Sequence, residues 1–174
     1  MGKILGSWSG MRRYLENEML ADSLCGRVRY NCTTYVGMDG SSVFELFIDN
    51  KLFKRFSYET VNSHFIKMGY TEKPSKMDIR DYWDGYWELF DEYPINQRTE
   101  YTDEEFCHSL EEYRNTDITE SVYSDDPIVK MFALLDRRVG KRTLKAIEDN
   151  MKKEPKWLWD IYVLRCGYDR KITA

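Results

Sequence analysis

Long apolar runs are missing from this chain; "MFALL" at 131–135 is among the longest. A bilayer-crossing helix needs ~20 such residues, so no membrane association is expected. Histidine is nearly absent, with only His64 and His108, which leaves few general bases for catalysis near neutral pH. The four cysteines, Cys25, Cys32, Cys107 and Cys166, form no C-x-x-C pair. That spacing excludes a zinc ribbon or a disulfide framework and predicts reduced thiols. Adjacent Cys107 and His108 would point to different faces of a helix, so together with His64 they make a poor metal site. There is no G-x-x-x-x-G-K-S/T loop, no G-x-G-x-x-G after a strand and no G-x-S-x-G elbow. The start, "MGKILGSWSG", holds too short an apolar stretch for a secretory signal, and Ser7 misses the myristoylation spacing by one place. These absences predict a cytoplasmic, non-enzymatic protein that uses no cofactor and no metal.

What is present suffices for a substantial core. The 174 residues are 42% hydrophobic and 15% aromatic, which fits one domain or two small ones packed together. Trp8, Met11, Leu15 and Met19 recur at helical steps between a capping Ser9 and a closing Gly26. "RVRYNCTTYV" then alternates, with Val28, Tyr30, Cys32, Thr34 and Val36 on one face. "GMDGSS" turns the chain into a second strand carrying Phe44, Leu46 and Ile48, and "DNK" leads to a third, "LFKRFS". Such short connections predict an antiparallel meander. Ser57 caps a helix with Tyr58, Val61, Phe65 and Met68 in line before Gly69. Both helices are expected to cover one face of the sheet.

Residues 1–70 therefore read as an α-β-β-β-α unit, residues 71–76 as a linker, and residues 77–174 as a helical array packed on the first part. The expected class is α+β. In the second part Ser75 and Asp78 start an aromatic helix with Ile79, Tyr82, Trp83, Tyr86, Trp87 and Phe90, expected to be the shared spine. Thr102 with Glu105 forms a capping box ahead of Phe106, Leu110 and Tyr113. Asp126-Pro127 opens a further helix that ends near Gly140; Leu144, Ile147 and Met151 mark the next. Pro155 begins the last, where Trp157 and Trp159 stand two apart and cannot both face inward. One of them is a candidate partner contact.

Charge is divided unevenly. Residues 1–70 hold nine basic and seven acidic groups, residues 71–126 five and seventeen, and residues 127–174 twelve and six. Net charges are therefore +2, −12 and +6. The expectation is that the acidic helices lie against the basic ones, within the monomer or across a dimer; the alternative is that each block faces its own partner. Asp81, Asp84 and Glu88 read as a solvated face rather than a metal site.

The densest basic stretch is "DRRVGKRTLK", with Arg137, Arg138, Lys141, Arg142 and Lys145 as candidate contacts for an anion or a nucleic acid. Arg137 and Arg138 suit the last turn of a helix, whose negative end they complement; Lys141 and Arg142 at the next helix start do not. The turn is expected to be exposed, pairing with Asp136 and a carboxylate from 71–126, and to tolerate Arg137→Ala with Arg138→Ala. Aligned as a helix-turn-helix on Gly140, the usual small residue four places earlier is Asp136, which would be costly if buried.

Two functions stay open. The first is a non-enzymatic interaction protein that self-associates or binds another protein. The second is a nucleic-acid-binding regulator using 137–145; a hydrolase with an unrecognised site is a weaker third. The α-β-β-β-α order resembles a double-stranded-RNA-binding domain in topology, but "SYETVNSHF" lacks the lysine cluster which that family places at its second helix. As a whole, "WSGMRRYLENEMLADSLCGRVRY", "FELFIDNKLFKRFS" and "DPIVKMFALLDRRVGKRTL" with "EPKWLWDIYVLR" resemble a family of small uncharacterised bacterial cytosolic proteins. The resemblance implies a bacterial, intracellular protein and adds no mechanism.

Overall fold

Ser7, rather than Ser9, opens the first helix. In the computed structural model, which describes residues 7–34, 42–69 and 79–171, the Ser7 Oγ accepts the Gly10 N–H at 3.2 Å ahead of α1 (Trp8–Arg13). The helical stripe expected as far as Gly26 breaks early. It widens into a π-helical turn at Tyr14–Glu18 and, after extended residues, resumes as one 3-10 turn at Asp22–Leu24. Gly26 then takes a φ of 78°, open to glycine at little cost.

β1 (Val28–Thr34), β2 (Ser42–Ile48) and β3 (Lys51–Phe56) form the expected antiparallel meander in the order β1-β2-β3. Asp49 and Asn50, at φ 53° and 63°, make the two-residue hairpin turn, residue types that tolerate the left-handed region. A bulge sits in the second ladder, where Leu46 faces Lys54 but Phe47 faces Leu52. The extra residue brings Lys54 and Phe56 to the core side and leaves Leu52 exposed.

α2 (Tyr58–Lys67) starts at Ser57, whose Oγ accepts the Thr60 N–H at 3.3 Å. It does not join α1 on the sheet. Val61 and Phe65 pack instead with Tyr86 of α3 (Ile79–Glu92) in a small cluster of their own. Through its described side chains the aromatic helix therefore serves α2 and does not enter the main core, so it is not the shared spine. The linker 71–76, Val36 and the caps Ser75 and Asp78 lie outside the described residues, as do the side chains of Ile79, Tyr82 and Trp83.

The spine is a later helix. α4 (Asp103–Asn115) carries both reciprocal bonds of the Thr102–Glu105 capping box, and α5 (Ile118–Ser121) is a single turn capped by Asp117. α6 (Pro127–Leu135) has every residue buried except Lys130. A helix apolar on all sides has to be surrounded. α7 (Lys141–Met151) and α8 (Lys156–Lys171) complete the chain. One core runs from Met11 to Tyr162 with Phe106 at its hub; its ring lies 4.5 Å from Phe44, 4.8 Å from Phe56 and 5.5 Å from Phe132. The sheet's apolar side is thus closed by α1, α4 and α6. No described helix is long and apolar enough to cross a membrane.

Candidate functional site

The basic turn clamps the N-terminal segment: Arg137, Arg138, Lys141, Arg142 and Lys145 are exposed and Arg138 pairs with Asp136, both as expected, but the aspartate itself lies inside. Asp136, the C-cap of α6, is fully buried. Its carboxylate accepts the Tyr113 hydroxyl, the Arg138 backbone N–H at 2.7 Å and the Arg138 guanidinium at 2.6 and 3.0 Å. The expected cost of a buried aspartate is offset because its oxygens are served by donors. The bond to Asp136 holds the Arg138 guanidinium above its ordinary range. Burial, then Asp136, pushes the Tyr113 hydroxyl well up.

Backbone bonds explain why the aspartate is drawn inward. Ala21 N–H donates to Leu135 O at 2.9 Å and Arg137 N–H to Met19 O at 2.7 Å, a bridge centred on Leu20 and Asp136. The Arg137 guanidinium adds Glu18 O at 3.3 Å and the Asp22 carboxylate at 3.1 Å. Buried Arg165 from α8 donates to Val139 O at 2.9 Å and reaches Ser23. The partner of Arg137 is therefore Asp22, not a carboxylate of 71–126. Arg138 is felt by Asp117, whose carboxyl is held low mainly by the Thr119 hydroxyl and N–H, with Arg138 a smaller influence.

The five basic candidates thus separate. Arg137 and Arg138 belong to the clamp, while Lys141, Arg142 and Lys145 are exposed on the first turns of α7. Gly140 caps that helix without a side-chain bond. Lys141 is engaged in a contact of its own.

Trp157 and Trp159 both lean on the core. Trp157 meets the Tyr101 ring at 5.7 Å, and Trp159 stacks on Tyr162 at 5.1 Å. Two positions apart, they reach different neighbours on either side of α8, and both are half-buried.

A second buried charge cluster gave no local signal. Arg98, 2% exposed, donates to Tyr93 O at 2.7 Å, to Glu100 O at 3.3 Å and to the Glu105 carboxylate, with its guanidinium 4.9 Å from the Phe90 ring centre. The bulge brings the Lys54 ammonium to Thr99 O and to Glu100 at 3.1 Å. There it lies 5.2 Å from the ring centres of both Tyr101 and Trp157. Burial lowers the Lys54 pKa against the pull of Glu100, and lowers that of His64 as well. The donors that Arg98 and Lys54 offer are used by the protein itself, so the cluster is structural.

Two surfaces remain. On α3 Asp84, Trp87, Glu88 and Asp91 stand at i, i+3, i+4 and i+7, all exposed. Among the described residues no group of three or more His, Cys, Asp or Glu is placed to hold a metal. Between α5, α6 and α7 lies a half-open cleft of about 220 Å³ with an apolar floor of Val122, Ile147 and Met151. Lys130, paired with Glu154, crosses one side, and Tyr123, Asn150 and Lys153 form the rim.

Residues 7–166 match the model of the SF0329 protein family. The chain belongs to that family. No curated protein and no solved structure matches it. The span shared with the SF0329 family takes in the clamp, the Arg98 cluster, the acidic stripe of α3 and the cleft.

Proposed function

We propose that this SF0329 protein is a non-catalytic, self-associating interaction protein of the bacterial cytoplasm. One observation carries the reading: leaving aside Glu104, Lys141 and Arg165, which have further contacts of their own, no ion pair between described residues joins the acidic helices of 79–126 to the basic helices of 127–167. Lys54 and Arg98 take Glu100 and Glu105, and Arg137 takes Asp22. Opposite charges that do not pair with each other within one chain favour contact between copies, because complementary potentials steer encounter and set register. Sedimentation velocity at ~50 mM and ~200 mM salt tests this, since exposed charges are screened across that range. Association at the lower salt that weakens at the higher is expected; a monomer at both refutes the reading.

A second reading rests on Arg142 and Lys145, exposed beside Lys141 at an α7 start whose dipole does not favour them. If they grip phosphates, random duplex DNA or RNA shifts in a gel at ~50 mM salt and is released towards ~200 mM. No shift at the lower salt removes it.

A further inference from the structure

The geometry points to a specific contact between copies: Trp87 of one chain seats in the cleft above Val122, Ile147 and Met151 of a second. This deepens the self-association reading and rests on it.

The cleft's size selects the kind of occupant. At about 220 Å³ it is smaller than the ~300–1,000 Å³ of pockets that enclose drug-sized ligands, and it is half open. It suits one large side chain better than a metabolite. Its floor is apolar, and Asn150 on the rim offers an acceptor for a ring N–H. An indole, with a large apolar body and a single donor, matches both features. The rim is basic: Lys130 is matched by Glu154, whereas Lys153 makes no ion pair with a described residue.

The surface of the same chain supplies such a group. Among the described residues the exposed large apolar side chains are Leu52, Ile66, Met68, Trp87, Tyr123 and Val163. Tyr123 belongs to the rim. Leu52 adjoins Lys51, and Lys67 lies between Ile66 and Met68, so a basic rim repels all three. Val163 sits one turn from Asp160, which Lys156 already holds at 2.6 Å. Trp87, 46% exposed, is flanked on its own stripe by Asp84, Glu88 and Asp91. None of those three carboxylates makes an ion pair with a described residue. Tyr58 and Phe90 hold the ring from the side, at 6.0 and 5.4 Å between centres. The knob is therefore held in place before docking, which lowers the entropic cost of association. An aromatic anchor in an apolar pocket, inside a rim of opposite charge, is the usual anatomy of a contact that carries most of an interface's affinity.

Charge exchange between copies tests the pairing, with sedimentation velocity at low salt as the readout and circular dichroism to show that each variant is folded. Glu88→Lys puts a cation beside the knob, and Lys153→Glu puts an anion on the rim; both positions are exposed. Each variant alone is expected to self-associate at least ~10-fold more weakly than the wild type, because like charges then meet across the contact. An equimolar mixture of the two is expected to regain association, since both knob–cleft combinations between the variants are again complementary. Trp87→Ala is expected to lose association in either background. If the wild type associates while these variants match it, the contact is wrong and the self-association reading stands. If the wild type is monomeric at both salts, that reading falls and the contact falls with it.

Discussion

Charge is buried twice in this protein, in opposite arrangements. At the clamp the anion is hidden: Asp136 is fully buried while its Arg138 partner is half exposed. In the second cluster the cations are hidden: Arg98 and Lys54 lie inside, and Glu105 and Glu100 keep some contact with water. A half-exposed arginine can find water if its partner is removed. A carboxylate left in the interior, or carbonyls stripped of a buried guanidinium, cannot. The contrast predicts that the cost of a substitution follows what is left behind and not how many bonds are drawn.

Arg98→Ala should have the largest effect. It leaves Tyr93 O, Glu100 O and most of the Glu105 carboxylate without their donor, and removing one member of a buried pair costs ~3–5 kcal/mol. Urea unfolding followed by far-UV circular dichroism measures it; a loss below ~1 kcal/mol would place the pair with surface bridges. Asp136→Ala comes next at ~1–3 kcal/mol, because the Tyr113 hydroxyl loses its acceptor while Arg138 turns to solvent. A larger loss than for Arg98→Ala in the same assay would reverse the comparison.

Alkaline pH separates the two regions in another way. Burial raises the hydroxyls of Tyr113 at the clamp and Tyr101 beside Lys54 well above their ordinary value of 10.0. Above pH ~10 the unfolded chain has released these protons and the folded chain has not, so stability falls as pH rises. Each group contributes a slope of up to ~1.4 kcal/mol per pH unit. Unfolding free energies measured between pH ~9 and ~11 should therefore decline less steeply in Tyr113→Phe than in the wild type, and an unchanged slope would contradict the buried hydroxyl. The smallest effect is expected for Arg137→Ala, ~0–1 kcal/mol, since its pair with Asp22 is exposed and its backbone N–H still holds Met19 O. Loss of the fold on that single change would show that the side chain, and not the backbone bridge, carries the clamp.

Features whose partners lie within a few residues were readable in advance. The Thr102–Glu105 box, the Asp126-Pro127 start and the Ser57 cap each form within one turn, so local pattern suffices. Strand order followed from short connections. Asp136 looked like a solvent-facing helix end because its surroundings come from Met19, Leu20 and Tyr113, two of them more than a hundred positions away. The inward Lys54 depends on a bulge between β2 and β3, which shifts the alternation by one residue without a glycine to mark it. The candidate contact surface was half legible: Asp84 and Glu88 were visible as an acidic face, whereas the cleft is assembled from α5, α6 and α7 and has no signature in any one of them.

The sequence by itself therefore determined the class, the three-stranded meander, the helix starts at Ser57, Thr102 and Asp126 and the uneven charge, because periodicity, capping and turn chemistry act over distances of a few residues. Tertiary structure alone decided which helix became the spine, where the N-terminal segment was clamped and which ionic groups went inside. Those outcomes depend on side chains far apart in sequence, and a buried charge is tolerable only where the fold brings its distant partners to it.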